Sequence, residues 1–480
     1  MKRIACALFV LSAATALTAQ TFTTLHTFDL TDGSFPASPL IQALDGDFYG
    51  TTAGEGYTGN YGTVFKITAS GLLTTLHHFC KPDLPCMDGA TPMAGLVQAA
   101  DGDFYGTTYG GALGGGTVFK ITPTGTLTTL YRFCSLSGCA DGLFPTAGLI
   151  ETGDGDFYGT TALGGAIEKG TVFKITPSGA LTTLYSFCSV GSCYDGYGPN
   201  AALVQASNGN FYGSTTNGGY ELGAGTVFEI TPKGSLTTIY GFCAGGTACP
   251  TGNSPESALV QGLDGYLYGT AKAGNENCGG TGCGTVFKTT LGGALTALYS
   301  FCSQSGCMDG ESPFAGLVEG TDGDFYGTTQ EGGAAGYGTI FKITPSGTLT
   351  SLYSFCVQPG CPDGASPSAA LVQGTDGNFY GTTAHGGSST AGTVFSLSMG
   401  LGPFVKTQTT SGGVGAVVKI LGTGLTGATR VTFNGVVAAF EVVSSSLIAT
   451  TVPAGAASGT VQVVTPAGTV SSNVPFRVLP

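Results

Sequence analysis

One motif recurs seven times in the 480-residue chain: Asp or Asn, Gly, a short spacer, Tyr-Gly, and a run of small hydroxyl side chains. The copies begin at Asp45, Asp101, Asp154, Asn208, Asp264, Asp322 and Asp376, so neighbouring copies are 53 to 58 residues apart. A period of this length is typical of one supersecondary unit repeated in a stack or a ring. The repeat therefore predicts the architecture of most of the chain.

The sixth repeat shows what each unit contains. Apolar or alternating β-prone residues cover 316–318, 325–329, 339–343 and 348–355, and we name these predicted strands a, b, c and d. An Asp-Gly turn signal separates a from b, and Pro-Ser-Gly separates c from d, as expected between adjacent antiparallel strands. Each repeat is therefore predicted to form a four-stranded antiparallel sheet.

The order of the strands predicts how the repeats are joined. One copy of strand d, residues 22–28, precedes every other strand, whereas the last repeat ends at 394–397 without its own strand d. The first strand is therefore expected to complete the last sheet and close a ring, which leaves short, protected edges. We predict an all-β protein in which residues 20–398 form a seven-bladed β-propeller with four-stranded blades. An open β-solenoid is the alternative, and it would not require the offset strand.

The C-terminal part of the chain differs from the repeats. Residues 399–403 read as a linker, and the repeat and the cysteines both stop before it. Short alternating strands at regular spacing then cover residues 404–480. This pattern predicts a small immunoglobulin-like β-sandwich.

The N-terminus predicts export. Lys2 and Arg3 precede an apolar run over 4–17, and Ala19 is a small residue before the expected cleavage point. Residues 1–19 are therefore predicted to be a secretory signal peptide. The apolar run is too short to span a bilayer comfortably. We expect the mature protein to be secreted or extracytoplasmic, with no membrane span.

Cysteine spacing supports export independently. Of the 15 cysteines, Cys6 lies in the predicted signal peptide, and the other 14 form seven close pairs. Each pair could close a short loop as a disulfide in an oxidising compartment. Zinc sites instead need pairs that converge in space. We predict no metal site and seven disulfides, Cys80/Cys86, Cys134/Cys139, Cys188/Cys193, Cys243/Cys249, Cys278/Cys283, Cys302/Cys307 and Cys356/Cys361.

Charge excludes two classes of partner. The formal net charge is −13, with only 9% charged residues. A nucleic-acid-binding protein needs a basic stripe to neutralise phosphates, and the sequence has none. The same argument disfavours docking on anionic lipid head groups.

The repeat also carries a resemblance to a known family. Leu-Val-Gln-x-x-Asp-Gly-x-Phe-Tyr-Gly-Thr-Thr, followed by Gly-Thr-Val-Phe-Lys-Ile-Thr-Pro-x-Gly, resembles the tandem GloVer repeat over roughly residues 22–397. That resemblance implies an exported, propeller-like bacterial protein of the choice-of-anchor group, and it brings no catalytic residue or cofactor. Gly-Thr-Gly-Leu and Val-Thr-Phe-Asn-Gly after residue 403 resemble an IPT/TIG domain, which implies a spacer or a second partner-binding unit.

In such a propeller the d–a and b–c connections lie on one face, which we name the loop face. The a–b and c–d connections lie on the opposite face, which we name the turn face. The b–c loops vary most between repeats, and binding residues concentrate on such loops. We therefore predict that a polysaccharide or a surface protein binds the loop face through Glu55, Tyr57, Tyr109, Glu168, Tyr220, Glu221, Glu276, Glu331, Tyr337 and His385.

Other functions stay open at this stage. The aspartates of the Cys-x-Asp-Gly loops could ring a channel and hold a cation, although an Asx-turn explains them better. Loop glutamates could serve a polysaccharide lyase or glycoside hydrolase, which needs two facing carboxylates. A purely structural role in the envelope is a third hypothesis. Several acids in a deep central pocket with raised pKa values would favour an enzyme, whereas a channel closed by small side chains would favour binding or structure.

Overall fold

The computed structural model describes residues 20–54, 61–80, 86–111, 114–220, 223–244, 249–274 and 282–479. Within these ranges the chain is all-β, with short 3₁₀ turns at Ser137–Cys139, Gly191–Cys193 and Ser305–Cys307. None of the helices in the described ranges is long and apolar enough to cross a membrane. The predicted signal peptide, residues 1–19, lies outside the described residues.

The repeats form four-stranded antiparallel sheets, as the sequence predicts, and the described residues contain seven of them. The strand bounds of the first three repeats, after the N-terminal strand, are β1 (Thr21–Thr27), β2 (Ile41–Gln42), β3 (Phe48–Thr52), β4 (Thr63–Ile67), β5 (Leu73–His78), β6 (Val97–Gln98), β7 (Phe104–Thr108), β8 (Thr117–Ile121), β9 (Leu127–Arg132), β10 (Ile150–Glu151), β11 (Phe157–Thr161), β12 (Thr171–Ile175) and β13 (Leu181–Ser186).

The remaining repeats have the same layout. Their strands are β14 (Val204–Gln205), β15 (Phe211–Thr215), β16 (Thr226–Ile230), β17 (Leu236–Gly241), β18 (Val260–Gln261), β19 (Leu267–Ala271), β20 (Thr285–Thr289), β21 (Leu295–Ser300), β22 (Val318–Glu319), β23 (Phe325–Thr329), β24 (Thr339–Ile343), β25 (Leu349–Ser354), β26 (Val372–Gln373), β27 (Phe379–Thr383) and β28 (Thr393–Ser398).

The seventh sheet contains both ends of the repeat region. Its strand order is β1-β28-β27-β26, so β1 occupies the place of strand d. β1 runs antiparallel to β28, from Thr21 opposite Ser398 to Thr27 opposite Thr393. The last sheet therefore depends on a strand that the chain supplies more than 360 residues earlier.

Aromatic stacks join each sheet to the next. The Tyr of strand b in one sheet stacks on the Phe of strand b in the following sheet. The pairs, with centroids 3.9 to 4.3 Å apart, are Tyr49–Phe104, Tyr105–Phe157, Tyr158–Phe211, Tyr268–Phe325, Tyr326–Phe379 and Tyr380–Phe48. At the remaining junction Leu267 replaces the Phe and packs with Tyr212 in the same apolar cluster. Tyr380 of the seventh sheet thus contacts Phe48 of the first sheet at the position where Tyr49 of the first contacts Phe104 of the second.

A second contact explains the Gly before each Thr-Val-Phe run. This glycine lies against the proline of the segment that precedes strand a of the next sheet, so a Cβ atom at Gly62 would be 2.5 Å from Pro92 Cδ. The same contact recurs at every junction, and Gly392 meets Pro36 across the last one. One residue before the proline, a backbone N–H donates to the preceding sheet, as from Phe35 to Ala391 O at 2.9 Å.

A polar contact repeats between neighbouring strands a. The second residue of strand a accepts a backbone N–H from the preceding sheet, as when Gln98 Oε1 accepts from Leu44 at 2.9 Å. Gln98 also donates from Nε2 to Gly102 O in its own turn at 3.2 Å. Two repeats carry Glu151 and Glu319 here instead of Gln. Their carboxylates still accept a backbone N–H, from Ala100 and Leu263, but an ionised carboxylate cannot donate to the turn.

We expect Glu319→Gln to stabilise the protein by about 1 kcal/mol at neutral pH, because Gln regains the donated hydrogen bond. Burial raises the pKa of Glu319. The wild-type protein therefore loses stability as the pH rises from the ordinary Glu pKa through the raised pKa of Glu319. The stability gain of the Gln variant should vanish below about pH 4, where Glu319 is protonated. Urea unfolding at several pH values measures this. Glu151→Gln is the matched variant and should gain less, because Lys419 already favours the Glu151 carboxylate. A pH-independent gain would contradict the argument.

Six of the predicted disulfides are confirmed. They close the loops after strand d at Cys80–Cys86, Cys134–Cys139, Cys188–Cys193, Cys243–Cys249, Cys302–Cys307 and Cys356–Cys361. Cys283 is also disulfide-bonded, while its predicted partner Cys278 lies outside the described residues. In the first copy, which lacks cysteine, Asp29 holds the loop by accepting hydrogen bonds from the backbone and hydroxyl of Thr31.

Two further four-stranded sheets follow the repeats, with a short parallel pair beside them. Val418, Ile420 and Ile448 of one sheet and Val431, Phe433 and Val463 of the other share one buried core. The strands are β29 (Val405–Thr407), β30 (Ser411–Gly413), β31 (Val417–Gly422), β32 (Arg430–Phe433), β33 (Val436–Ala438), β34 (Phe440–Val442), β35 (Leu447–Thr451), β36 (Val461–Thr465), β37 (Gly468–Ser471) and β38 (Arg477–Leu479).

This C-terminal unit contacts the a–b turns of the seventh, first and second sheets. Ser446 Oγ donates to Leu44 O at 3.0 Å, Gln408 Nε2 donates to Ala99 O at 3.0 Å, and the hydroxyls of Thr423 and Thr375 lie 2.7 Å apart. The unit therefore covers part of the turn face. The connections that form the loop face are at the opposite ends of these strands.

The contact between the C-terminal unit and the turn face also brings a lysine to the seventh repeat, which has none in strand c. In the first repeat, Lys66 of strand c pairs with Asp45 and Asp47 of the a–b turn at 2.8 and 2.7 Å. In the seventh repeat Ser396 stands opposite Tyr380 in place of the lysine, and Lys406 of the C-terminal unit donates to Gln373 O beside that turn. Burial lowers the pKa of Lys406 to about 8, and the charge of Asp376 opposes the shift. The turn face is thus used for internal packing.

Candidate functional site

Six of the ten residues selected from the sequence fall in the described part of the chain, and Glu55, Tyr57, Glu221 and Glu276 lie outside it. All six are on b–c connections of the loop face, and two of them, Glu331 and Tyr337, share the connection of the sixth repeat. Three of them contact another aromatic ring: Tyr109 stacks on Phe144 with ring centroids 4.4 Å apart, Tyr220 lies edge-on to Tyr194 at 6.1 Å, and His385 lies edge-on to Phe35 at 5.2 Å. Glu331 is exposed, and its backbone pairs with that of Glu311. Glu168 and Tyr337 are exposed.

The aspartates of the stapled loops are held by hydrogen bonds from strand d. Tyr131 donates to Asp141 Oδ2 at 2.9 Å, and the backbone N–H of Ser135 donates to the same oxygen at 2.9 Å. Equivalent pairs are Tyr185–Asp195, Tyr299–Asp309, Tyr353–Asp363, His77–Asp88 and His26–Asp32. Each carboxylate therefore fixes its own loop, but it accepts from residues upstream, such as Ser135 and Leu136 for Asp141, and not from the N–H two residues later that an Asx-turn uses.

A central cavity of about 270 Å³ opens among the segments that precede strand a. All seven repeats contribute to its lining. The contributing segments share the pattern Pro, one variable residue, two small residues or a proline, and Leu. The variable residues are Ala37, Met93, Thr146, Asn200, Glu256, Phe314 and Ser368, which we name the mouth ring.

The mouth ring lies beside the b–c connections, so it belongs to the loop face. Asn200 Nδ2 donates to Thr216 Oγ1, just after β15, at 2.9 Å. Lys272, just after β19, lies over the Phe314 ring at 5.1 Å from its centroid. The seven repeats place seven different side chains around this opening. A symmetric scaffold thus presents an asymmetric set of apolar, amide, hydroxyl and carboxylate groups.

Below the mouth ring the cavity is narrowed by close approach of the inner segments. A Cβ atom at Gly95 would be 2.9 Å from Pro39, one at Gly148 would be 3.3 Å from Gly95 O, and one at Gly316 would be 2.9 Å from Ala258 O. Small residues are therefore required at this level. The opening at the loop face consequently leads into a shallow cavity lined largely by small residues.

Ser368 is a polar residue of the cavity lining whose hydroxyl is left without a hydrogen-bond partner in the described part of the chain. Its side chain is 8% exposed and lines the cavity. Its hydroxyl has no hydrogen-bond partner among the residues that the structure describes. A buried polar group without a partner costs about 1–3 kcal/mol. The oxygen is almost inaccessible to water, so a ligand hydroxyl would reach it only after a small shift of the Ser368 side chain.

Glu256 is the acidic member of the mouth ring. Burial raises the pKa of its carboxyl, and the charge of Lys272 acts in the opposite direction. Lys272 Nζ lies 3.9 Å from Glu256 Oε2, at the outer limit for an ion pair. Thr146 Oγ1 is 3.4 Å from the Asn200 side-chain oxygen on the neighbouring repeat. Thr146 and Asn200 are therefore close enough to contact one ligand together.

The described residues hold one group of three metal-ligating atoms, Cys283, Cys302 and Cys307. Cys302 and Cys307 are joined as a disulfide, and Cys283 is also disulfide-bonded. Metals bind thiolates, and a disulfide sulfur has no such charge. This group is therefore structural.

The profile of the Gloeobacter/Verrucomicrobia repeat matches residues 8–140, 88–283 and 251–447, which together cover most of the chain. The chain belongs to this family. The resemblance drawn from the repeated motif is thereby confirmed for the Gloeobacter/Verrucomicrobia repeat. Among curated proteins none matches the chain.

Solved structures place this member of the Gloeobacter/Verrucomicrobia repeat family among propeller-like folds. A fungal alcohol oxidase in complex with copper is 14% identical over 93% of this chain and 98% of its own, with a TM-score of 0.50. An auxiliary nutrient binding protein from Bacteroides thetaiotaomicron is 12% identical, over 65% of this chain and 70% of its own, with a TM-score of 0.41. At these identities the first likeness shows the fold alone, and the second carries no argument.

One sequence feature could have predicted the mouth ring, but the stronger variation of the b–c loops drew attention away from it. Within each d–a segment the Pro and the Leu are constant, whereas the residue directly after the Pro differs in all seven copies. A position that varies inside a constant frame is not needed for packing. In this member of the Gloeobacter/Verrucomicrobia repeat family, that position faces the shared cavity.

Proposed function

We propose that the protein is an exported, non-enzymatic binding protein that holds a small carbohydrate, or the end of a polysaccharide, in the central cavity of its loop face. The observation that carries the proposal is the buried, unpartnered hydroxyl of Ser368 in a cavity whose opening presents seven different side chains. Ligand sites are concave, mostly apolar and carry a few convergent polar groups. This cavity has that character.

The size and chemistry of the cavity support a sugar. Its volume of about 270 Å³ is just below the range of sites for drug-sized ligands, about 300–1,000 Å³, and so suits one or two sugar units. Thr146, Asn200 and Ser368 offer hydroxyl and amide groups to sugar hydroxyls, while Met93 and Phe314 offer apolar surface to ring carbons. A sugar presents both kinds of surface, so this combination fits it.

We further propose that the seven sheets are the blades of a closed propeller, with β1 as the closing strand, and that residues 404–480 are an IPT/TIG-like module. The pairing of β1 with β28 and the Tyr380–Phe48 stack support closure. The two sheets around one core support an immunoglobulin-like module. Its contacts with the turn face leave the loop face free for a ligand, so it acts as a spacer or a second contact.

Export is proposed on two grounds. Six disulfides fit an extracytoplasmic protein, because thiols in the cytosol are kept reduced. The charge pattern and the apolar run of residues 1–19 support a cleaved signal peptide. A polysaccharide or a surface protein outside the cytoplasm would then be the partner, and no resident cofactor is part of the proposal.

The lining supports binding over hydrolysis. Glycoside hydrolases need two carboxylates that face each other across the scissile bond. The described lining of the cavity contains one carboxylate, that of Glu256. The rest of the lining is small or neutral. By the criterion set from the sequence, this arrangement favours binding or a structural role.

Ser368→Phe tests the proposal, because Phe already occupies the same position in the sixth repeat and should fold there. We expect neutral oligosaccharides to raise the melting temperature of the oxidised wild-type protein, and the substitution to weaken binding at least tenfold by filling the cavity. A ligand at a hundred times its Kd adds about 2.7 kcal/mol to stability, which a thermal-shift screen detects.

Ser346→Phe, at an exposed position of a c–d turn, is the matched control and should bind like the wild type. Binding that survives in Ser368→Phe would place the ligand elsewhere. The absence of a shift with every sugar would reject carbohydrate binding and leave the structural role.

A further inference from the structure

We propose that the mouth ring contains a subsite for a protonated amine, formed by the Glu256 carboxylate and the Phe314 ring. This inference rests on the proposed function, because it specifies the ligand of the same cavity. It predicts that the ligand is an amino sugar or another sugar that carries an ammonium group.

Glu256 and Phe314 already lie beside an ammonium group of the protein, that of Lys272. Lys272 Nζ lies 3.9 Å from Glu256 Oε2 and 5.1 Å from the Phe314 centroid. A carboxylate beside an aromatic face attracts a cation twice, through the ion pair and through the electron-rich face of the ring. Glu256 and Phe314 come from adjacent repeats and both line the cavity, whereas Lys272 does not. The lysine therefore approaches the subsite from outside.

Lys272 is easily displaced. Its side chain is 39% exposed, whereas that of Glu256 is 19% exposed. Half-exposed ion pairs contribute little to stability, because the ammonium exchanges the carboxylate for water at small cost. A ligand ammonium inside the cavity could approach the enclosed carboxylate more closely than 3.9 Å. The Glu256 carboxylate is therefore the more enclosed group of the subsite, and the Lys272 ammonium occupies the position that a ligand ammonium would take.

Charge on the loop face favours a cationic ligand over an anionic one. The protein carries a formal net charge of −13. Glu168 and Glu331 lie exposed on this face, and the charge of Glu331 contributes to raising the pKa of Glu311. A field of one sign draws ligands of the opposite sign and raises their association rate. An acidic sugar would meet repulsion, whereas an amino sugar would be attracted.

The test compares two probes of equal length and linkage, β-linked glucosamine oligomers and their N-acetylated counterparts, by calorimetry near pH 6 on the oxidised protein. The probes differ at each unit by an ammonium group or a neutral amide. We expect the wild-type protein to bind the amine form at least tenfold more tightly. Glu256→Gln should reduce that ratio to about one and leave binding of the acetylated form within twofold. Lys272→Met should tighten binding of the amine form, because the internal competitor is gone.

Glu319→Gln is the charge-matched control, since it removes one carboxylate from strand a of the sixth repeat outside the cavity lining. It should retain the full preference for the amine form. Cavity-dependent binding of the acetylated sugar without any preference for the amine would overturn the amine subsite and leave the proposed function standing. A preference that survives in Glu256→Gln, or weaker binding of the amine form by Lys272→Met, would also overturn it. The absence of binding by both probes would overturn the amine subsite, and the thermal-shift screen with neutral oligosaccharides would then decide the proposed function separately.

Discussion

Gly392→Ala is expected to destabilise the protein by about 4 kcal/mol, because it forces apart the last and first sheets. Gly392 has a φ of +99°, a conformation that costs an L-residue strain. A Cβ atom there would also lie 2.5 Å from Pro36 Cδ and still closer to the carbonyl oxygen of Thr383. Neither the proline ring nor the backbone carbonyl can turn aside as a flexible side chain would. Guanidinium unfolding followed by circular dichroism measures the loss.

Gly155→Ala separates the two contributions. Gly155 has a similar φ of +82°, but a Cβ atom there would meet nothing within 4 Å. This variant should therefore show the backbone cost alone, about 1–2 kcal/mol. Equal losses in the two variants would mean that the contact between Gly392 and Pro36 contributes nothing to stability. A larger loss at Gly392 would show that the close approaches to Pro36 and to the Thr383 carbonyl add to the backbone cost.

Removal of residues 20–27 is expected to abolish cooperative folding of the repeat region. β28 would become an unpaired edge, although Val394, Phe395 and Leu397 in it are fully buried. The deletion also removes Phe22, whose ring stacks on Tyr353 at 3.9 Å and contacts Phe395 at 5.3 Å. An exposed apolar edge strand pairs with other chains and aggregates. Size-exclusion chromatography and near-ultraviolet circular dichroism measure the outcome.

A peptide of residues 20–28 should rescue the shortened protein when added in trans, by strand addition to β28. The same peptide with Phe22→Ala should rescue it poorly, since the stack on Tyr353 is lost. A shortened protein that remains monomeric and unfolds cooperatively without the peptide would show that the seventh sheet does not need β1. In that case the ring would not depend on the N-terminal strand.

The repeat made the fold predictable because the same local signals recur in every copy. Turn pairs such as Asp-Gly and Pro-Ser-Gly fix the hairpins, and the alternating strand residues fix which side chains face the neighbouring sheet. The predicted strands of the sixth repeat agree closely with the structure, and the main difference is at strand a. It was expected at 316–318 and is observed as Val318–Glu319. Of the two residues before it, Gly316 lines the central cavity and Leu317 packs in a buried apolar cluster.

The candidate site was less predictable. Variation in length and charge drew attention to the b–c loops, and residues such as Glu331 and His385 are indeed exposed there. The cavity instead takes one residue from each d–a segment, and those seven residues are spread over more than 300 positions of the chain. The sequence shows that each of them varies. It carries no local signal that they converge.

The sequence by itself determined the repeating unit, the four strands of each sheet, six disulfides and the family, since each depends on residues close together in the chain. The tertiary structure decided which varied positions share a cavity, that Ser368 is buried without a partner, and that Lys272 approaches Glu256. It also brought Lys406 to a turn of the seventh repeat, in which Ser396 replaces the lysine of strand c. These features depend on distances between repeats, which follow from the twist and packing of whole sheets. No pattern of neighbouring residues encodes such distances directly.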